Sequence, residues 1–249
     1  MTAPVLPGAE PASFSGDATG VLVVHGFTGS PQSMRGIAER LAADGRTVEM
    51  PLLPGHGTSV EDMIPTRFAD WYAAAEEALA ELATRTERQV VVGLSMGGTV
   101  VTTLAADHDV AGLVAINAAI DPPAAELVTA VTAMIDAGEQ TMPAIGGDIA
   151  KEGATELAYD AAPLAALVSL VEHGIGLVGR LADITCPTLI VTSRQDHVVD
   201  PASSDTLAAG VAGPVERLFL DDSFHVVTLD LDAPAVEDAI SRFVSLVAG

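Results

Sequence analysis

Lysine is almost missing from this chain of 249 residues. Lys151 stands alone, and eleven lysines and arginines together face 34 aspartates and glutamates, for a formal net charge of −23. Such a field repels phosphate backbones and anionic bilayers. It argues against nucleic-acid binding and leaves at most transient contact with a neutral lipid surface. Cysteine is reduced to Cys186, so no disulfide can form within the chain. Beside Pro187, at the start of an apolar run, it is expected to be a buried, inert thiol. Aromatic residues make up only 4% of the chain, so Ala, Val and Leu have to build the core. No run reaches the roughly 18 consecutive apolar residues that a membrane span needs. Met1 to Asp17 have neither a basic n-region nor an apolar h-region, so no signal peptide is read and a cytoplasmic address is expected. Phosphate loops, dinucleotide fingerprints, metal-ligand clusters and internal repeats are also missing. No cofactor and no metal are expected.

What is present is a chain made to fold. Hydrophobic residues amount to 49% and the mean hydropathy is +0.40, which excludes disorder. Short β-branched runs alternate with helical patterns, the arrangement of a mostly parallel sheet flanked by helices. The runs predict strands at Gly20–Val24, Thr47–Met50, Gln89–Val92, Leu113–Asn117, Thr188–Thr192 and Glu216–Leu220. Helices are predicted at Pro31–Asp44, Phe68–Thr84, Gly97–Ala106, Pro201–Ala209 and Pro234–Ala248. In the second of these, Glu76, Glu77 and Glu81 read as a solvated face. The alternation breaks after Asp121. Two apolar helical segments, Ala124–Ala137 and Pro163–Gly179, are joined there by a connector around Gly146-Gly147. The expected organisation is therefore an α/β core of residues 1–120 and 178–249 with a small helical cap, 121–177, inserted between core strands. On the second cap helix, Leu164, Leu167, Val168, Val171, Ile175 and Val178 recur at helical spacing. They suit packing on the core and lining of an apolar tunnel alike.

The strongest local signal is Gly93-Leu94-Ser95-Met96-Gly97-Gly98, between the apolar run Val90-Val91-Val92 and a helical segment. G-x-S-x-G in strand–turn–helix context is the nucleophile elbow of the α/β-hydrolase fold. Small residues two before and two after the serine let the backbone turn sharply enough to expose its hydroxyl. A second element, Val21 to Val24 running into His25-Gly26-Phe27-Thr28-Gly29-Ser30-Pro31, has a helix start at Ser30-Pro31. By position, this loop supplies one oxyanion-hole donor, the backbone N–H of Phe27, and the N–H of Met96 supplies the other. Each such donor is worth about 3–4 kcal/mol of transition-state stabilisation. The remaining partners follow in the chain order serine, acid, histidine. Asp196 comes after the strand Thr188–Thr192, and His225 after Glu216–Leu220. His225 is expected to act as general base and acid, and Asp196 to orient its imidazole.

Other candidates have plainer roles. His25 belongs to the oxyanion loop, His56 to the turn Pro54-Gly55-His56-Gly57, His108 to a helix end and His173 to an apolar helix. His197 adjoins the acid but sits on the wrong loop. Asp200, Asp221 and Asp222 are rival acids, and Asp200 before Pro201 reads as a helix N-cap.

With these motifs go Gly55-His56-Gly57-Thr58, Glu61-Asp62-Met63, Asp70-Trp71, Ile116-Asn117-Ala118-Ala119, Glu156-Leu157-Ala158-Tyr159 and Asp196-His197-Val198-Val199, ending with His225-Val226-Val227-Thr228-Leu229-Asp230. Together they span nearly the whole chain. They make it resemble the esterase/lipase family of α/β-hydrolases and, within it, the bacterial monoacylglycerol lipases and their carboxylesterase relatives. The resemblance implies a serine hydrolase acting on carboxylic esters, with a small neutral lipid or ester as substrate and a monomer or weak homodimer as its state. It also implies substrate-binding roles for Glu156, Asn117 and Ile145. A carboxylate at Glu156 that reached the alcohol side of the pocket would accept hydrogen bonds from two glycerol hydroxyls, and so separate glyceryl from plain alkyl esters. A broad carboxylesterase, and a non-catalytic scaffold of the same fold, are the alternatives.

Overall fold

The central β-branched runs become strands buried on both faces, as parallel strands covered by helices on either side must be, while the last, at the sheet edge, is largely exposed. The structure, a computed structural model, describes residues 3–120 and 125–248. Its main sheet has seven strands: β1 (Ala12–Phe14), β2 (Thr19–Val24), β3 (Thr47–Met50), β4 (Arg88–Leu94), β5 (Gly112–Ile116), β8 (Thr188–Ser193) and β9 (Val215–Leu220). Their order is β1-β3-β2-β4-β5-β8-β9. β1 pairs antiparallel with β3, and every other pair in this sheet is parallel.

Register places the site. Val24 pairs with Gly93, Gly93 with Ala115, Ile116 with Val191, and Ser193 with Leu220. The carboxyl ends of β2, β4, β5, β8 and β9 therefore finish nearly level. The loops that follow them, carrying Phe27, Ser95, Asn117, Asp196 and His225, crowd one edge, where open α/β sheets bind ligands.

Helices cover both faces. On one side α1 (Arg35–Ala43) and α8 (Ala233–Ala248) pack Ile37, Leu41, Val236, Ile240 and Phe243 on Val21, Val23, Val90, Val92 and Val114. On the other, α3 (Phe68–Ala83) and α4 (Met96–Asp107) pack Trp71, Leu79, Val100 and Leu104 on Leu22, Val91 and Leu113, with α7 (Ala202–Gly210) contributing Leu207. Between β5 and β8 the chain forms α5 (Ala125–Asp136), the antiparallel pair β6 (Thr141–Pro143) and β7 (Ala161–Pro163), and α6 (Leu164–Val178). The expected boundary of the insertion at Asp121 and the first residue of its predicted helix, Ala124, lie outside the described residues. Among the described residues, no helix is long and apolar enough to cross a membrane.

Several expectations shift. The segment from Pro31 is a 3₁₀ turn, Pro31–Met34, before α1 begins. Ser30 stands at the N-cap position, but its hydroxyl makes no capping bond and is buried without a partner among the described residues. Strands β1, β6 and β7 and the single turn α2 (Val60–Met63) were not predicted. They run three or four residues, too short for a period to register. Glu76 is not merely solvated: it accepts from Tyr72 Oη–H and meets the His108 ring. Cys186 is half-buried where full burial was expected, and burial pushes its thiol pKa up. On α6, Leu164, Leu170 and Leu177 are buried while Ile175 and Val178 are exposed. An apolar helix presents apolar residues on every side, and spacing alone does not choose between them.

Two glycines test this packing in opposite directions. A Cβ at Gly97 would collide with the carbonyl oxygens of Val24 and His25, whereas one at Gly176, within α6, meets nothing within 4 Å. Gly97→Ala should lose about 1–3 kcal/mol by overpacking. Gly176→Ala should gain about 0.4–1 kcal/mol by restricting the unfolded chain. Urea unfolding midpoints read both, and an unchanged midpoint for Gly97→Ala would contradict the packing described.

Candidate active site

β4 hands over to α4 at Ser95, whose backbone has φ 56° and ψ −119°. A non-glycine residue held there costs about 1–3 kcal/mol and persists only where its surroundings over-determine it. Here they do. Ser95 N–H donates to Ile116 O at 2.9 Å, and Ser95 O accepts from Thr99 N–H at 3.1 Å. Gly93 and Gly97 are backed so closely on each other that a Cβ on Gly93 would overlap the Gly97 carbonyl, and Ala118 leaves no room for a Cβ on Gly98. The Ser95 side chain faces a cavity and makes no hydrogen bond among the described residues. Met96 is the first residue of α4, so its N–H has no partner within the helix and lies at the positive end of the helix dipole.

His225 follows β9, and its Nδ1 lies 2.7 Å from Asp196 Oδ2. The two side chains are 8% and 2% exposed. Asp196 Oδ1 accepts from the N–H groups of Val198 and Val199, both at 2.8 Å. One carboxylate oxygen is thus fixed by backbone and the other faces the imidazole. Nδ1 carries the proton, which leaves Nε2 of the neutral ring as a base. His225 lines the same cavity as Ser95. None of the rival acids bonds the His225 ring among the described residues. Asp200 Oδ1 accepts from Ala202 N–H at the start of α7, Asp221 pairs with Arg194 at 3.1 Å, and the backbone N–H of Asp222 donates to Asp232.

Phe27 lines the cavity too, and its N–H has no acceptor among the described residues. The loop is fastened directly after it. Thr28, at φ 59°, donates its hydroxyl to Phe27 O at 2.7 Å, and Thr28 O accepts from Tyr159 N–H at 3.0 Å.

Asn117 corrects an expectation. It does not line the cavity. Its amide donates to Ser193 Oγ at 3.1 Å and to His225 O at 2.7 Å, while its Oδ1 accepts from Ser193 N–H at 2.8 Å. Its amide and carbonyl are both occupied within the protein and tie the ends of β5 and β8 to the His225 turn. Two further residues escaped sequence reasoning. Asp148 accepts from the N–H groups of His197 and His225, each at 3.1 Å, and meets the His197 ring at 2.9 Å. Asp230, 1% exposed, accepts from the N–H groups of Ala150, Lys151 and Phe224. Asp148 lies 49 and 77 positions from its partners, so no local pattern marks it. Asp230 falls inside the run from His225 that carries the resemblance, which was its only trace.

The cavity measures about 620 Å³. α6 lines it with Leu167, Leu170 and Val171, and β6 and the adjoining connector with Met142, Pro143 and Ile145. Ile145 is 68% exposed and stands at the rim. Among the described residues, no lysine or arginine lines it, and its carboxylates are Glu156 and Asp200. Gln32 secures the Glu156 segment on both sides, donating to Thr155 O and accepting from Leu157 N–H. A Cβ on Gly29 would lie 2.8 Å from Glu156 Oε1, so the bare glycine makes room for the carboxylate beside the Phe27 loop. Burial raises the Glu156 pKa above the ordinary carboxylate value, against the opposing pull of His225 and the Gly147 N–H.

Two outcomes follow. Asp196→Asn should keep the fold and lower turnover by roughly 10³–10⁴-fold through loss of the correct imidazole tautomer, read by steady-state kinetics. Glu156 has a raised native pKa, so its cost to stability is absent below the unfolded carboxylate value and appears as pH rises through the native one. Glu156→Gln should therefore melt above the parent at neutral pH, with the gap closing in acid. Calorimetry at both pH values checks this, and a parent that melts higher at neutral pH contradicts it.

Comparison with known proteins agrees with this geometry. Residues 17–232 match the family described as serine aminopeptidase, S33 (Hydrolase_4). The chain is 42% identical to a thermostable monoacylglycerol lipase of Bacillus sp. (strain H-257), over 99% of this chain and 98% of that one. It is 24% identical to a carboxylesterase of Bacillus subtilis (strain 168), over 94% and 95% of the two chains. A solved structure from work on the metagenome-derived lipolytic enzymes LipS and LipT superposes with TM-score 0.93 at 40% identity, covering 97% of this chain and 99% of that one. The Paleococcus ferrophilus monoacylglycerol lipase, at 17% identity and TM-score 0.79 over 95% and 98% of the two chains, shares the fold. A strained serine at the end of a parallel strand, a carboxylate-bound histidine lining the same cavity and an extended likeness to lipolytic enzymes lead to one conclusion: the chain belongs to the serine aminopeptidase S33 (Hydrolase_4) family, with an α/β-hydrolase fold.

Proposed function

We propose that this protein is a serine carboxylester hydrolase whose preferred substrates are monoacylglycerols. The observation that carries the reading is the wall of the cavity. Ser95 and His225 share it with apolar residues of α6 and β6, and with one secured carboxylate, Glu156. Ser95 Oγ attacks the ester carbonyl while His225 Nε2 takes its proton, and the N–H groups of Phe27 and Met96 hold the oxyanion. The imidazolium, stabilised by Asp196, protonates the departing alcohol. Water, losing a proton to His225, then cleaves the acyl-enzyme, and the acid leaves with Ser95 restored. The acyl chain lies along the apolar wall, with the insertion of residues 121–177 serving as a cap over it. Glu156 accepts hydrogen bonds from the glycerol hydroxyls. A wall without cations favours neutral esters, and the relatives named as a monoacylglycerol lipase and lipolytic enzymes support the same choice.

The test is kcat/KM on a medium-chain monoacylglycerol and on the methyl ester of the same acid, for the parent, Ser95→Ala and Glu156→Gln. The parent should favour the glyceryl ester. Glu156→Gln should lose that preference by about tenfold or more, because a site that bonds hydroxyls discriminates strongly for them. Ser95→Ala should leave no more than roughly a thousandth of the activity. Equal parent rates on the two esters would reduce the reading to a broad carboxylesterase. The ammonium of a free peptide N-terminus would meet the same carboxylate, so aminoacyl anilides belong in the panel. Cleavage of these faster than either ester would overturn the ester reading.

A further inference from the structure

The single tryptophan and two buried histidines form a set that the proposed chemistry does not use. His25 directly follows β2 and is fully buried; His56 is 1% exposed and Trp71 fully buried. Their rings meet edge to face, His25 to His56 at 4.9 Å and His56 to Trp71 at 5.5 Å. Trp71 meets Phe27 in the same way at 5.7 Å. The chain of rings runs from His25 back to Phe27 and brackets the Gly26–Phe27 peptide. Trp71 is itself fixed by its Nε1–H, which donates to Pro54 O and Thr66 Oγ1.

The hydrogen bonds of His25 settle its protonation. Leu53 N–H donates to His25 Nε2 at 3.2 Å, so Nε2 is bare. The proton of the neutral ring is therefore on Nδ1, which lies 3.0 Å from Gly26 O and donates to it. Burial lowers the His25 pKa to about 4, which keeps this neutral form across the physiological range. The described residues contain no cis peptide bond, so Gly26 C=O and Phe27 N–H point in opposite directions from one planar unit. A donor that holds the carbonyl on the buried side aims the N–H the other way. Gly26 also lies against Ser95, close enough that a Cβ there would be 3.5 Å from Ser95 Cβ.

We propose that His25 is a positioning residue: its Nδ1–H pins the Gly26 carbonyl and so turns the Phe27 N–H toward the cavity shared with Ser95. The inference rests on the proposed oxyanion role of Phe27. It adds that the orientation of this amide is set by a side chain, through one tautomer locked by the Leu53 N–H. His56, whose Nε2 is buried without a partner among the described residues, takes part by shape, keeping the His25 ring against the loop.

The test compares His25→Asn, His25→Gln and His25→Ala in the full chain. Asn places an amide N–H about where the imidazole has its Nδ1–H; Gln reaches the Leu53 side and Ala keeps neither bond. Turnover and KM are measured on a p-nitrophenyl ester. The inhibition constant of an alkylboronic acid, which forms a tetrahedral anionic adduct on serine, is measured beside them. His25→Ala should lose roughly 10²–10³-fold in kcat, the effect of one misplaced oxyanion donor. Boronate affinity should fall in step, with KM moving less than about threefold. His25→Asn should recover at least about tenfold of the loss, and His25→Gln should not. Equal activity of the Asn and Gln variants, or a lowered kcat with unchanged boronate affinity, overturns the proposal. Nitrogen-15 NMR of the unsubstituted protein tests it without any variant: His25 should show protonated Nδ1 and bare Nε2 from pH 5 to 8, and the other tautomer or an imidazolium rules it out. Absence of Ser95-dependent boronate inhibition in the parent would instead sink the underlying oxyanion reading, a result distinct from all of these.

Discussion

The close approach of β4, α4 and the end of β2 governs everything at the carboxyl edge of the sheet. Gly93 and Gly97 back onto each other, and Gly97 rests on the carbonyls of Val24 and His25. That contact brings the Phe27 loop up to the serine turn and holds Ser95 at positive φ. The strain is local, about 1–3 kcal/mol. The restraints on it come from several directions: Ile116, Thr99 and the Gly98–Ala118 contact. A hydroxyl and two backbone donors can be pre-placed on a rigid sheet edge only if the strands finish level, which the register of β2, β4 and β5 ensures. Pre-placed donors need no reorganisation when charge develops, and this is what makes them effective.

A second theme is the use of carboxylates as acceptors for loop backbone. In a chain with 34 acidic residues, Asp196 gathers the N–H groups of its own turn, while Asp148 and Asp230 turn inward and gather N–H groups from segments far apart in sequence. Charge-assisted bonds of this type are stronger than neutral ones, and each saturates donors that turns leave open. Asp148 joins the connector before Glu156 to both the Asp196 and the His225 loops. The insertion between β5 and β8 is thereby fastened to the groups proposed to do chemistry. Glu156 differs in kind. It accepts the Gly147 N–H, but burial still raises its pKa. A buried carboxylate that destabilises its own ionised form is a cost consistent with a ligand that supplies the missing hydrogen bonds.

How far the sequence reached follows from where the signals are local. The elbow is legible because strand, glycine spacing and helix lie within a dozen residues, and the oxyanion loop likewise. Asp196 and His225 are legible because each follows an apolar strand in the expected chain order. The predicted strands are found to within one or two residues at each end. What was missed is non-local or too short. β1, β6 and β7 have three residues each, and Asp148 has its partners dozens of positions away. Asn117 drew a binding role from resemblance, yet its side chain closes a polar tie across three loop segments. No pattern in sequence distinguishes an amide facing a cavity from one facing a neighbouring strand. The all-round apolar character of α6 hid which of its faces borders the cavity and which meets solvent, for the same reason.

The central claim is that Ser95 carries the acyl group of a carboxylic ester. Its most direct measurement is intact-protein mass spectrometry after acid quench during turnover of a monoacylglycerol, followed by peptide mapping. The account requires a mass gain equal to the fatty acid less water, located on the peptide containing Ser95. The same adduct must appear when the methyl ester of that acid is the substrate. No adduct under conditions where acyl transfer outruns hydrolysis, or an adduct on a different residue, would contradict it.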